Sequence, residues 1–128
     1  MSRRKKIILL VAGLGLALSC RPLIAHHSGS IWDKRHRITL SGPVTEVDFA
    51  NPHVQIHFEA KDEVGSTVQW TAVSASPQRL YRNGWNSKTL HEGDLITVTG
   101  IPARDGRKIV NIRELLGPRG RTLLEGAD

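Results

Sequence analysis

Apolar residues in the middle of this chain recur at every second position, and that period commits it to β-structure. Val54, Ile56 and Phe58 alternate with Gln55, His57 and Glu59. Thr67-Val68-Gln69-Trp70-Thr71-Ala72-Val73 follows a loop at 62–66 and is rich in β-branched residues, as strands are. Upstream, Ile38, Leu40, Val44, Val47 and Phe49 mark a first strand, with a bulge or bend expected at Gly42-Pro43. Ala50-Asn51-Pro52 reads as the turn between strands one and two. Two further strands are expected at 95–101 and 108–115, joined across an Asp105-Gly106 turn.

One segment breaks the period. Ser76-Pro77 is an N-cap followed by proline at the first helical position, and Gly84 is a left-handed stop, so a short helix is expected over 78–83. Three strands, a short helix and two strands is the chain order of the OB-fold, a small five-stranded barrel. The fold class expected is therefore all-β with one short helix, in a domain at 38–117. A lead segment at 26–37 precedes it, and a hairpin-like tail at 118–128 follows, anchored by Leu123 and Leu124. The expected core is Val44, Val47, Val54, Ile56, Phe58, Val68, Leu80, Leu95, Ile96, Val98, Ile109 and Ile112.

Residues 1–25 read as a secretory signal peptide. Arg3-Arg4-Lys5-Lys6 is the cationic start, residues 7–18 are an unbroken apolar or glycine run, and cleavage is expected after Ala25. That run is shorter than the ~20 residues needed to span a bilayer. The competing reading is a lipoprotein acylated at Cys20. Either way the folded domain has no thiol chemistry, and its expected location is the periplasm or the exterior, away from ATP, NAD and chromosomal DNA.

Charge argues against nucleic acid. The chain carries 18 Lys+Arg against 12 Asp+Glu. Five of those cations precede His26, leaving 13 basic and 12 acidic residues from there on. A near-neutral domain lacks the electrostatic footprint of phosphate-backbone binding.

Short motifs then accumulate in one order: Ala25-His26-His27-Ser28, Trp32-Asp33, Gly42-Pro43-Val44, Asn51-Pro52-His53, Trp70, Ser76-Pro77, Arg82-Asn83-Gly84-Trp85, Glu92-Gly93-Asp94 and Asp105-Gly106. In these the chain resembles an exported bacterial family catalogued as domain of unknown function 6152. The resemblance implies an exported, single-domain, β-rich protein and implies little about activity. Such proteins often carry an acidic residue three positions after the strand tryptophan; here that position is Val73.

The histidines suggest one sharper chemistry. Cleavage after Ala25 would make His26 amino-terminal, so that its imidazole and the α-amino group could chelate Cu(II) together. Cleavage one residue earlier would place His27 third, which also suits Cu(II). The plain alternative is a soluble polar lead. His53, in the loop after the first strand, is the candidate third ligand. His57 shares its strand face but lies roughly 13 Å away at ~3.3 Å per residue, so it is expected on the outer face. Trp32, Asp33, Asn51, His57 and Trp85 form the candidate ligand surface, with core or pinning roles the plain alternative for the tryptophans.

No Gly-x-Ser-x-Gly, Cys-His pair, His-Glu-x-x-His or phosphate-binding glycine loop is present in the expected domain. The reading is a non-catalytic binding module for a ligand or an envelope protein. The alternative is a copper-handling protein using His26, His27 and His53. A copper oxidative enzyme is the weakest of the three.

Overall fold

A computed structural model describes residues 31–126. The expected signal peptide, Cys20, His26 and His27 lie outside the described residues. The domain is a closed five-stranded β-barrel with one short helix, the OB-fold expected from the sequence. Its strands are β1 (Ile38–Asp48), β2 (Gln55–Lys61), β3 (Thr67–Val73), β4 (Leu95–Pro102) and β5 (Ile109–Leu116), with helix α1 (Pro77–Arg82) between β3 and β4. A single 3₁₀ turn leads to a short sixth strand, β6 (Thr122–Glu125), added to β5 in the tail.

β1 is the strand on which the barrel turns. Its first half pairs with β4, from Ile38 opposite Gly100 to Pro43 opposite Leu95, and its second half pairs with β2. Gly42 sits where the two halves meet. A Cβ there would run into the backbone carbonyl of Glu59, so only glycine admits the approach. The extra residue of the bulge is Thr45, not Gly42 or Pro43, because the register jumps from Val44–Phe58 to Glu46–His57. Parallel pairing of β3 with β5, Thr71 opposite Ile109, closes the barrel.

Val44, Val54, Ile56, Phe58, Ala72, Leu80, Ile96, Val98, Val110 and Leu115 form the fully buried centre. Four expected core residues need correction, and two of them, Val47 and Val68, are half-buried and not central. Leu95 is 63% exposed, because it lies opposite Pro43 on the outer face while Ile96 and Val98 point in. Ile109 is half-buried and Val110 takes its place at the centre. β5 also carries a bulge at Arg113, which changes the inward set from Val110 and Ile112 to Leu115.

The helix forms as its caps dictate. Ser76 Oγ accepts from the Arg79 amide at 3.4 Å, Pro77 opens the first turn, and Gly84 follows at φ 81°. Leu80 then plugs the end of the barrel beneath it.

Candidate functional site

The two ends of the barrel differ in what covers them. α1 closes the end where β1 stops and β2 starts. The other end lies between the β2–β3 and β4–β5 hairpins and is open. Each hairpin is held by an aspartate. Asp62 Oδ1 accepts from the amides of Val64 and Ser66 at 3.0 and 2.8 Å. Asp105 accepts the Arg107 amide at 3.2 Å and its Nε at 2.7 Å, which together hold the Asp105 carboxyl below its ordinary value.

Between these hairpins lies a cleft of about 830 Å³. Ile38 and Leu40 of β1, Val68 and Trp70 of β3, and Ala103 beyond β4 supply an apolar lining. Lys61, Arg107 and Lys108 stand at its edge with Asp62 and Glu63. The Lys108 ammonium lies 5.2 Å from the centre of the Trp70 ring, within cation–π range. Lys61 Nζ donates to Thr67 Oγ1 at 2.6 Å. The cleft is broad and open to solvent, with an apolar floor and charged groups at its edge, a chemistry that ligand sites share.

The lead segment flanks this mouth. Trp32 bridges Ala103, the Asp33 amide donates to the Pro102 carbonyl at 2.8 Å, and Arg104 Nε donates to the Trp32 carbonyl at 3.1 Å. Trp32 thus pins the lead onto the end of β4. Asp33 does not face the mouth as a lone carboxylate. It accepts from His36 Nδ1 at 2.7 Å, and that bond is the main cause holding its carboxyl below the ordinary value.

The other candidate residues are dispersed. His53 and Asn51 are exposed beyond the far end of β1, and His53 lines a cleft there with Arg79 and Leu80 of α1. His57 faces outward on β2, 2.9 Å from Thr71 Oγ1. Trp85 is 4% exposed and donates its indole N–H to the Leu123 carbonyl at 3.0 Å, so it is core and not ligand surface. Among the described residues, no group of three or more His, Asp or Glu side chains is placed to hold a metal ion. Lys108 and Arg107 were not anticipated as edge residues. The signal available was their position directly after the Asp105-Gly106 turn, which closure brings beside Trp70.

The family described as "Family of unknown function (DUF6152)" matches residues 15–111. The chain belongs to this family. No curated protein matches the chain. Among solved structures, a chain from the crystal structure of TiaS in complex with an isoleucine tRNA and ATP is similar at 21% identity and a TM-score of 0.47 over 64% of this chain. The chain spans 18% of that protein's length, and nothing about tRNA or ATP transfers at that level of likeness.

Proposed function

We propose that this protein is an exported, non-catalytic binding module that takes its ligand at the open mouth of the barrel. The observation that carries this reading is the cleft of about 830 Å³, with Trp70 on its wall and Lys61, Arg107 and Lys108 at its edge. Export rests on the cationic start and apolar run of residues 3–18, and the periplasm is the compartment it implies. A panel of aromatic, aliphatic and saccharide probes, read by amide chemical shifts, tests the site. Saturable shifts at 38–40, 68–70 and 102–108, lost in Trp70→Ala, are expected. A panel that leaves those amides unmoved overturns the reading.

One observation favours a second reading, Cu(II) held at the processed amino terminus by His26 and His27. Asp33 is an acceptor when ionised, so His36 Nδ1 is the donor in their bond. That leaves the neutral imidazole's Nε2 lone pair outward, the carboxylate–histidine arrangement common in metal ligands. His36 lies four residues after Trp32, whereas His53 lies beyond the far end of β1. In this reading His36 replaces His53 as the third ligand.

A further inference from the structure

The helix end of the barrel carries a second cleft, of about 300 Å³. Its polar wall comes from five separate segments: His53 after the β1–β2 turn, Ser74 beyond β3, Arg79 and Asn83 of α1 and its cap, Asn111 of β5, and Glu125 of β6. Its floor is apolar, made by Ala75, Leu80, Ile112 and Leu124.

Much of the polar wall of this cleft forms no side-chain hydrogen bond among the described residues. On the outer barrel, some polar side chains pair with one another across the strands: His57 with Thr71, Gln69 with Glu59, Thr39 with Thr99, and Ser41 with Thr97. The side chains of His53, Ser74, Arg79, Asn83 and Asn111 make no such bond among the described residues. Five polar groups with their bonding capacity unspent therefore converge on one concavity with an apolar floor.

The chemistry of the wall selects the ligand. Arg79 offers a guanidinium fork, Asn83 and Asn111 offer amide N–H groups, and Ser74 a hydroxyl, so donors predominate. Glu125 supplies the one carboxylate of the lining. A partner that is anionic and rich in acceptors fits such a wall, because charge-assisted bonds to guanidinium are the strong ones. The volume lies at the lower limit of ligand pockets and admits a small molecule only. From this we infer that the helix-end cleft is a binding site for a small oxyanion, a carboxylate or a phosphate, held chiefly by Arg79, Asn83 and Asn111. The inference does not rest on the mouth reading, since the two clefts share no lining residue.

Isotope-labelled protein titrated with sodium phosphate and, separately, sodium succinate at constant ionic strength tests the site. At least one anion should give saturable shifts at the amides of His53, Ser74, Arg79, Asn83 and Asn111. The tighter of the two assigns the ligand's source, phosphate or carboxylate. Arg79→Gln and Asn83→Ala should each weaken binding at least tenfold while leaving the unfolding midpoint in place, because both side chains are exposed. The inference is overturned if neither anion saturates, or if Arg79→Gln binds as wild type does. It is equally overturned if the shifts fall at Trp70 and Lys108, which report on the mouth in the same spectra.

Discussion

The ammonium of Lys108 stands 5.2 Å from the centre of the Trp70 ring, across the open end of the barrel. The two residues arrive from different segments, and closure of β3 against β5 is what brings them together. Trp70 pairs with Phe58 across β2, so its ring belongs to the inward face, at the point where that face reaches solvent. The mouth thus has an aromatic wall covered by one rotamer-rich cation. An entering ligand would exchange its own contacts for that one.

Replacing Lys108 by Met removes the charge and keeps much of the apolar stem. An exposed cation–π contact is worth ~0.5–1 kcal/mol, so unfolding in urea should shift by no more than that. Tryptophan emission should change, because the charge beside one of three indoles is gone. A stability loss well above that range would make Lys108 a structural residue and remove it from the mouth's binding role.

Trp85 tests how the tail is attached. Its indole N–H satisfies the Leu123 carbonyl, and the ring is 4% exposed. Trp85→Phe retains most of the packing but leaves that carbonyl without its partner. The expected cost is about 1–3 kcal/mol, with faster amide exchange in β6. Equal exchange in β6 for variant and wild type would show that Leu123 and Leu124 hold the strand by packing alone.

Most of the fold was legible because alternation and caps are local signals. Val54, Ile56 and Phe58 announced β2, and Ser76-Pro77 with Gly84 announced α1. Parity across bulges was not legible. A single extra residue moves every later side chain to the other face, and the residues that bulge, Thr45 and Arg113, carry no turn signature of their own. Leu95 and Ile109 were misplaced for that kind of reason: an apolar residue at a strand's end reads as core until its register is known. The candidate site was less legible than the fold. Trp70 was visible as a strand tryptophan, but no local pattern could show Lys108 above it, since that contact depends on barrel closure.

Gly42 is the most demanding position in β1. A methyl group there meets the Glu59 carbonyl, which is fixed in the β2 ladder and cannot turn away. Gly42→Ala should therefore cost about 3 kcal/mol, the upper part of the range for forced overpacking. Calorimetry of Gly42→Ala beside Gly65→Ala separates steric from conformational effects. A Cβ at Gly65 meets open space, although its φ of 82° still strains an alanine. Equal losses would mean that the close approach at Gly42 is not what demands glycine.

Acid should loosen the lead segment first. His36 is the main cause holding the Asp33 carboxyl below its ordinary value of 3.8, with the Arg35 amide assisting. A carboxyl depressed in the folded state adds stability above its ordinary value, and that contribution disappears as pH falls through the folded value. The stability difference between wild type and Asp33→Asn should be full near neutrality and shrink below 3.8. Urea midpoints measured across that range decide it. A difference that stays constant into strong acid would mean that the bond to His36 contributes nothing to folding.

Copper titration of the protein separates the two proposed roles for its histidines. Amino-terminal sequencing comes first, because the chelating terminus requires cleavage at or within a residue or two of His26; a diacylated Cys20 would remove it. With that terminus in place, the pairing of His36 with Asp33 makes His36 the described histidine best oriented as a ligand near the lead. His36→Ala should then weaken Cu(II) binding at least tenfold, the lower end of the effect of losing a metal-ligand interaction. His53→Ala should leave Cu(II) affinity unchanged, because His53 lines the helix-end cleft beyond the far end of β1. Binding should weaken as pH falls through the range where ordinary imidazoles gain a proton, near ~6.5. A form with an extra amino-terminal Met that binds as tightly as the processed protein would rule out the terminus as a ligand, whatever the histidine variants do.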